Sequence, residues 1–339
     1  MRIVLISPYL DVTSLSTRLL ASYLKAGGHS VVQIFLQDLE SMMENGIDFG
    51  DCYHDEVIEQ VIRLVEGYDL LGVSLMTNYF IKVTHLTRRI KDRIDIPVVW
   101  GGIHPTVAPE ECLGIADYVC VGEGEEALLD LVNCLEKNIR PVHVRNIWFQ
   151  DDQGEYRNPV REPISDLDRI PLPDYDLEDQ YILVGRKIVP LSESILKEIV
   201  RARIHFNQPH HLIYETMWTR GCPHHCTYCI NSHYRSLYKG CRTVRRRSVE
   251  NLIEEIRVIR ERFPWFNRIN FMDDDFASAG IEQLMYFRDS YKKEINCPFY
   301  ALLSVLSSEE DKLSILYDAG LRRTQIGIQT LSVSTNRLY

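Results

Sequence analysis

The run Cys222-Pro-His-His-Cys226-Thr-Tyr-Cys229 places three thiols at CxxxCxxC spacing on one short loop. Clusters that serve only electron transfer are closed by four cysteines. A loop with three can hold a 4Fe-4S cluster while leaving one iron without a protein ligand, so a small molecule is the expected occupant of that iron. Two other readings stay open. A structural zinc site would recruit His224, His225, His233 or Cys241 as its fourth ligand, although zinc sites usually pair CxxC knuckles. The three thiols would otherwise be unrelated buried side chains.

Around this loop the chain has a βα rhythm. A strand runs from Tyr214 into Thr219, and after the cysteines a helix begins with Ser248 as N-cap and Glu250 in its first turn. Leu252, Ile256, Ile259 and Phe263 share one face of that helix. A second strand, Arg268 to Met272, leads into Asp273-Asp274-Asp275, then a helix near Ile281 to Lys293. A third strand covers Phe299 to Leu303, and its helix carries Leu313, Leu316 and Tyr317 and is closed by Gly320. The fourth strand is Arg323 to Gln329. Acidic residues at a strand end are, on sequence alone, also read as a turn or a helix N-cap.

Residues 1 to 140 alternate apolar runs with helical patterns, the signature of a parallel sheet wrapped by helices. Strands are expected at Arg2 to Ser7, Ser30 to Phe35, Leu70 to Ser74, Pro97 to Trp100 and Tyr118 to Val121, which suggests a flavodoxin-like fold. Ligands of such sheets collect at the carboxyl ends of the strands. Those ends carry the polar and glycine signals Ser74 to Thr77, Gly101 to Thr106 and Gly122 to Glu125. From 146 to 180 a hairpin and a proline-punctuated linker follow. Residues 181 to 210 hold a helix around Ser192 to Arg203 and no functional signal.

Composition sets the bounds. The 339 residues are 45% hydrophobic and 25% charged, enough for two domains with real cores. No apolar run reaches the roughly 18 residues that span a bilayer, and the amino terminus reads as a strand rather than a signal peptide. We therefore expect a cytoplasmic protein with no membrane span. Nine cysteines, an odd number, with no export signal, argue against disulfides, so Cys52, Cys112, Cys120, Cys134, Cys241 and Cys297 read as reduced thiols. A net charge of −10 argues against nucleic acid as a partner. The basic cluster Arg242, Arg245, Arg246 and Arg247 is either a solvated stretch or a neighbour of an anionic group.

The cysteine run resembles the cluster loop of the radical S-adenosylmethionine (radical SAM) enzymes, in which SAM chelates the fourth iron and the aromatic residue before the last cysteine, here Tyr228, lies beside the adenine. Residues 1 to about 180 resemble the cobalamin-binding domain and linker of the radical SAM enzymes that carry such a domain. The matching residues are Gly101-Gly-Ile-His-Pro-Thr-Val-Ala-Pro-Glu-Glu111, Val121-Gly-Glu-Gly-Glu-Glu126 and Leu167-Asp-Arg-Ile-Pro-Leu-Pro-Asp174. The resemblance covers essentially the whole chain. It implies an α/β architecture: a flavodoxin-like (Rossmann-type) cobalamin-binding domain over 1–140, a hairpin and linker over 141–210, and a radical SAM partial (β/α) barrel over 211–339.

What the resemblance implies for the site is specific. Cys222, Cys226 and Cys229 would hold the 4Fe-4S cluster, and Asp273 and Asp274 would help hold the methionine part of SAM. Gln329, in Ile326-Gly-Ile-Gln-Thr330, stands where many relatives carry Glu and keeps hydrogen bonding without the charge. Ser74, Thr77, Gly102, His104, Gly122 and Glu123 are the candidate cobalamin-facing positions. The first domain has no Asp-x-His-x-x-Gly run to supply a histidine to cobalt, which leaves His104 as the nearest axial candidate, equally able to hydrogen-bond a corrin side chain. Gly122-x-Gly124 alone is weak evidence for a dinucleotide site, and Glu123 and Glu125 would repel a pyrophosphate.

The implied reaction is reductive cleavage of SAM to a 5′-deoxyadenosyl radical that abstracts hydrogen, with methylation of an unactivated carbon leading. Ring formation or rearrangement with a vestigial cobalamin domain, and a non-catalytic metal- or corrin-binding protein, are the alternatives. The implied partners are a small-molecule or biosynthetic-intermediate substrate and a reductant such as flavodoxin or ferredoxin. Barrel strands place catalytic groups at their carboxyl ends; a radical SAM core usually has about six βα units and this chain supplies about four, so the barrel reads as truncated.

Overall fold

The computed structural model describes residues 1–9, 13, 15–36, 52–202 and 211–336. It divides into two compact units, one of residues 1–162 and 171–202, the other of residues 163–170 and 203–339.

In the first unit, β1 (Arg2–Ser7), β2 (Ser30–Phe35), β3 (Leu70–Ser74), β4 (Val98–Gly101) and β5 (Tyr118–Cys120) are parallel neighbours in the order β5-β4-β3-β1-β2. That is the flavodoxin-like order, with its switch point between β1 and β3. Sheets covered on both faces read as continuous apolar runs rather than alternating ones, and β1 and β2 are accordingly buried at every position but the first. Helices α1 (Leu15–Ala26), α2 (Asp55–Val65), α3 (Phe80–Lys91) and α4 (Glu125–Glu136) connect the strands. Ala21 and Leu24 of α1 and Leu128, Leu131 and Val132 of α4 pack with Ile3, Leu5, Val31 and Leu70 in one core.

The sheet is wider than its parallel centre. The expected hairpin forms as β6 (Ile147–Asp151) and β7 (Gly154–Arg157), antiparallel beside β5. A second hairpin, β8 (Gln180–Val184) and β9 (Lys187–Pro190), adds to β2 at the opposite edge. Sequence reading left this segment without strands because each is only four or five residues long and follows a proline-rich stretch. The side-chain amide of Gln60 on α2 occupies the free edge of β9, donating to Arg186 O at 2.8 Å and accepting from Ile188 N at 3.0 Å. An otherwise bare ladder edge is thereby covered. Helix α5 (Glu193–Ala202) matches the expected one as far as the described residues go; its expected end, Arg203, lies outside them.

A fully buried arginine fastens the linker to this unit. Arg18 lies 3.9 Å from the Tyr175 ring and 5.0 Å from the Phe35 ring, and donates to Asp174 O and to Gln180 Oε1. The Asp174 carboxylate accepts from Gln33 and pairs with Lys25, both at 3.0 Å.

The second unit holds the parallel sheet β10 (Ile213–Thr216), β13 (Arg268–Phe271), β14 (Phe299–Leu303) and β15 (Leu321–Ile326), in that spatial order. Between β10 and β13 come β11 (Thr219–Arg220), α6 (Ile230–Leu237), β12 (Arg245–Arg246) and α7 (Val249–Arg262), with β11 antiparallel to β12. Then follow α8 (Ile281–Glu294) and α9 (Glu310–Ala319). Ser248 caps α7 by accepting from Asn251 N at 3.1 Å. Trp218, Phe271, Phe276, Phe287, Tyr291 and Phe299 form a buried aromatic layer, with Phe271 and Phe276 centroids 4.7 Å apart. Gly320 ends α9 at φ 124°, a conformation that favours glycine.

Two strands differ from expectation. The strand expected to run into Thr219 leaves the sheet after Thr216, because the next two available amides, those of Trp218 and Thr219, are taken by the Asp273 carboxylate. The last strand begins at Leu321 and ends at Ile326, three residues short of Gln329, with a register shift opposite Phe299 and Tyr300.

Candidate functional site

In the first unit the candidate residues do gather at the carboxyl ends of β3, β4 and β5. Ser74 Oγ lies 3.3 Å from Tyr9 OH, and Thr77 Oγ1 lies 3.2 Å from His104 Nδ1. Gly102 has φ 101°, and a Cβ there would stand 2.8 Å from Leu75 O and 3.1 Å from Ser74 Oγ, so no larger residue fits without moving backbone. The turn lets His104 N reach Leu75 O at 3.2 Å. Gly122, at φ 90°, donates its amide to Thr106 Oγ1 at 3.0 Å. Glu123 follows with its carbonyl held at 3.5 Å by the buried amide of Asn146, which also donates to Val121 O at 2.7 Å. Sequence reading missed Asn146; its positive φ of 72° marks it as a backbone-shaping position, but sequence carries that signal only weakly.

His104 is 3% exposed, its ring 4.3 Å from that of Phe80. Burial holds its pKa below the usual histidine range, against the pull of Glu111 at 3.9 Å. Among the described residues its Nε2 has no hydrogen-bond partner, and neither has Ser7 Oγ at the end of β1 or Thr17 Oγ1 on α1. Buried polar atoms are normally satisfied. Three orphans at the ligand-binding end of a flavodoxin-like sheet fit a polar-fringed ligand such as cobalamin.

In the second unit the cysteine loop joins β11 to α6. It begins after Gly221, whose φ is 89° and whose added Cβ would meet Thr243 O at 2.0 Å. Cys229 N and Ser232 Oγ both donate to Cys226 O, at 3.1 and 2.6 Å. From α6, Arg235 donates to the carbonyls of Cys222 and His224 at 3.3 and 2.5 Å. All three thiols are partly buried. Burial pushes the Cys222 thiol up to about 11, with Asp274, Asp275 and Cys229 adding to the effect. Metal binding at such a thiol releases a proton.

Among the described residues no three His, Cys, Asp or Glu side chains are drawn close enough to hold a metal ion. Thiolates repel one another until a cation joins them, so the fit rests on the donor set: three soft ligands on one loop, with Cys229 near enough to disfavour charge on Cys222. For the zinc alternative, His224 has its Nε2 engaged with Asp275 at 2.7 Å.

The three aspartates after β13 each serve the loop differently. Asp273 is fully buried and accepts from Trp218 N (3.0 Å), Thr219 N and Thr219 Oγ1 (both 2.6 Å). Burial raises its pKa to about 6, while these donors pull the other way. Asp274 is exposed and accepts from Asn231 at 3.0 Å; Asn231 also lies 3.6 Å from Cys229 Sγ. Asp275 is 2% exposed and accepts from His224, Ser307 and the Ser304 amide. Asn231, Arg235 and Asp275 were not singled out from sequence.

Tyr228 is 52% exposed beside Cys229. Gln329 lies past β15, exposed, at φ 63°, its side chain folded over Gly327. The basic cluster divides. Arg245 donates to Ile164 O, Arg247 pairs with buried Glu255 at 2.7 Å, and Arg246 donates to Ser278 Oγ at 2.9 Å. No helix among the described residues is long and apolar enough to cross a membrane.

Comparison with known proteins places both halves. A B12 binding domain model matches residues 1–132, and the radical SAM superfamily model matches residues 216–339. The chain is 29% identical over 236 residues to the uncharacterized methyltransferase PH0819 of Pyrococcus horikoshii, covering 66% of this chain and 44% of that protein. It is 22% identical over 305 residues to the cytidylyl-2-hydroxyethylphosphonate methyltransferase of Streptomyces wedmorensis, covering 80% and 52%. Among solved structures, the cobalamin-dependent S-adenosylmethionine radical enzyme OxsB with aqua-cobalamin bound superposes with a TM-score of 0.72 at 19% identity, over 99% of this chain and 45% of that one. The chain spans about half the length of the curated relatives it matches.

Proposed function

Since the chain belongs to the cobalamin-binding radical SAM enzymes, a B12-binding domain joined to a radical SAM domain, we propose that it methylates an unactivated carbon of a small-molecule or biosynthetic-intermediate substrate. The observation that carries this reading is the cysteine loop held at the strand ends by three consecutive aspartates, in a chain whose first unit presents orphaned polar atoms where flavodoxin-like sheets bind ligands. When bound, the 4Fe-4S cluster supplies an electron and an open iron for SAM cleavage, and cobalamin supplies a methyl carrier.

The chain's own residues position and bind. Cys222, Cys226 and Cys229 are the proposed cluster ligands. Asp274, exposed beside Cys229 and oriented by Asn231, is better placed than Asp273 to receive the ammonium of SAM, since the oxygens of Asp273 are committed to backbone. A carboxylate suits that ammonium by a charge-assisted hydrogen bond. Tyr228, exposed next to the last cysteine, offers a face for the adenine. Gln329 keeps only a hydrogen-bonding role. In residues 1–140, the proposed cobalamin domain, Gly102 and Gly122 permit close backbone approach, Ser74, Thr77 and Glu123 frame the strand ends, and His104 presents neutral Nε2. Residues 141–210 form the proposed connector and 211–339 the barrel part; flavodoxin or ferredoxin is the proposed reductant and the cytoplasm the compartment.

The test is an anaerobic inventory of the reconstituted chain: iron, sulfide and cobalt per polypeptide, followed by 5′-deoxyadenosine release from SAM under reduction. About four irons and one cobalt per chain are expected. One zinc with no sulfide would refute the reading, and SAM cleavage without cobalt retention would favour a vestigial first domain.

A further inference from the structure

The loop that carries the three thiols is fixed from two directions, and one anchor is the buried carboxylate of Asp275, which also reaches a second turn of the chain. Asp275 has a side-chain exposure of 0%, and its two oxygens are divided between elements. Oδ2 meets His224 Nε2 at 2.7 Å, inside the cysteine run, while Oδ1 accepts from Ser307 Oγ at 2.5 Å and from Ser304 N at 3.4 Å, in the turn after β14. A carboxylate taken out of water is tolerated only where its lone pairs are engaged, and here they are engaged by parts of the chain 51, 32 and 29 residues away. His224 is also held through its backbone, by Arg235. Its neighbour His225 is exposed.

We infer that Asp275 is a positioning residue for the cluster-binding loop, acting through the His224 side chain, and that it ties the spacing of Cys222 and Cys226 to the turn at 304–308. The inference rests on the reading of the loop as an iron–sulfur site. The physical basis is conformational. A short loop between two cysteines samples many backbone states, and each ligand that must be brought into place costs ordering entropy when metal binds. A side chain pinned to a fully buried carboxylate removes part of that freedom beforehand. Of the two adjacent histidines, only His224 is pinned in this way, so they form an internal control.

Four chains are compared: wild type, His225→Ala, His224→Ala and Asp275→Asn, the last preserving shape while weakening the acceptor. In the metal-free proteins, alkylation of Cys222 and Cys226 by iodoacetamide is followed by mass spectrometry. His224→Ala and Asp275→Asn are expected to react about 3- to 10-fold faster than wild type, and His225→Ala at the wild-type rate. After anaerobic reconstitution, iron release to a chelator should accelerate by a similar factor in the same two variants, and the change that SAM produces in the electron paramagnetic resonance spectrum should broaden or shrink. His224→Gln, which keeps a hydrogen-bond donor, should recover part of both effects. Equal alkylation and iron-release rates for His224→Ala and His225→Ala would overturn the inference while leaving the cluster reading intact. A wild-type chain that takes up no iron and sulfide would overturn both.

Discussion

Gly221 and Gly240 share a backbone angle but not an environment, which allows steric pressure on the cysteine loop to be isolated. Both have φ 89°. A Cβ at Gly240 meets nothing within 4 Å, whereas at Gly221 it would stand 2.0 Å from Thr243 O and 3.2 Å from Thr243 C. Placing alanine in this left-handed region costs roughly 1–2 kcal/mol at either site. That term cancels in the comparison. What remains at Gly221 is a clash with main chain, which no rotamer change relieves. Relief requires β11 and β12 to part by more than an ångström, and their ladder is only two residue pairs long, Thr219 with Arg246 and Arg220 with Arg245. Losing one or two backbone hydrogen bonds, at about 1 kcal/mol each, puts Gly221→Ala roughly 1–2 kcal/mol below Gly240→Ala. Hydrogen exchange of metal-free protein, read on peptides covering 214–222 and 243–249, should therefore show those segments opening about 5- to 30-fold more often in Gly221→Ala. Equal protection in the two variants would show that the loop yields at no cost, and the steric account of its geometry would fail.

Three further outcomes are expected. Burial raises the folded pKa of Asp273 from the ordinary 3.8 to about 6, so its contribution to stability is most favourable below about pH 4 and declines as pH rises to about 6, by at most roughly 3 kcal/mol; urea midpoints should diverge from those of Asp273→Asn across that window and run parallel above it, and a constant offset at all pH values would contradict the burial argument. Replacing Cys229 by Ala should remove bound iron and sulfide while shifting metal-free stability by less than about 1 kcal/mol, since the thiol is only partly buried; retention of a full iron complement would remove it from the ligand set. Arg18→Ala should destabilise the first unit by about 2–4 kcal/mol, because among the described residues it removes the donors to Asp174 O and Gln180 Oε1 and the contacts with the Phe35 and Tyr175 rings; a thermal melt within a degree or two of wild type would refute that.

The sequence was most legible where one force dominates. Five apolar runs alternating with helical patterns predicted a parallel sheet wrapped by helices, and β1 to β5 form it in the flavodoxin-like order. The Ser248 cap, the Gly320 stop and the 147–157 hairpin are local chemistry, and each is found where its residues place it. The β8–β9 hairpin was not legible, because its support comes from β2 and from the Gln60 amide more than a hundred residues away. At the proposed site, spacing alone singled out the three thiols as candidates. It did not reveal how Asp273, Asp274 and Asp275 divide their work, since adjacent identical residues differ only in where the backbone after β13 aims them. Nor did it separate the four arginines, of which Arg245 and Arg247 are spent on a linker carbonyl and a buried glutamate.

The segment 163–170 belongs with the second unit although the chain on either side of it, 1–162 and 171–202, belongs with the first. Arg245 Nη1 reaches Ile164 O at 2.6 Å, and Asp168 accepts the amide of Ser248, the residue that caps α7. Excising the second unit as a continuous fragment from residue 211 onward would strip an acceptor from each of those donors and leave residues 163–170 behind. The chain thus passes from one unit to the other three times, at 162–163, 170–171 and 202–203, and shuffling the units between relatives as free-standing cassettes would succeed only if residues 163–170 travelled with the second.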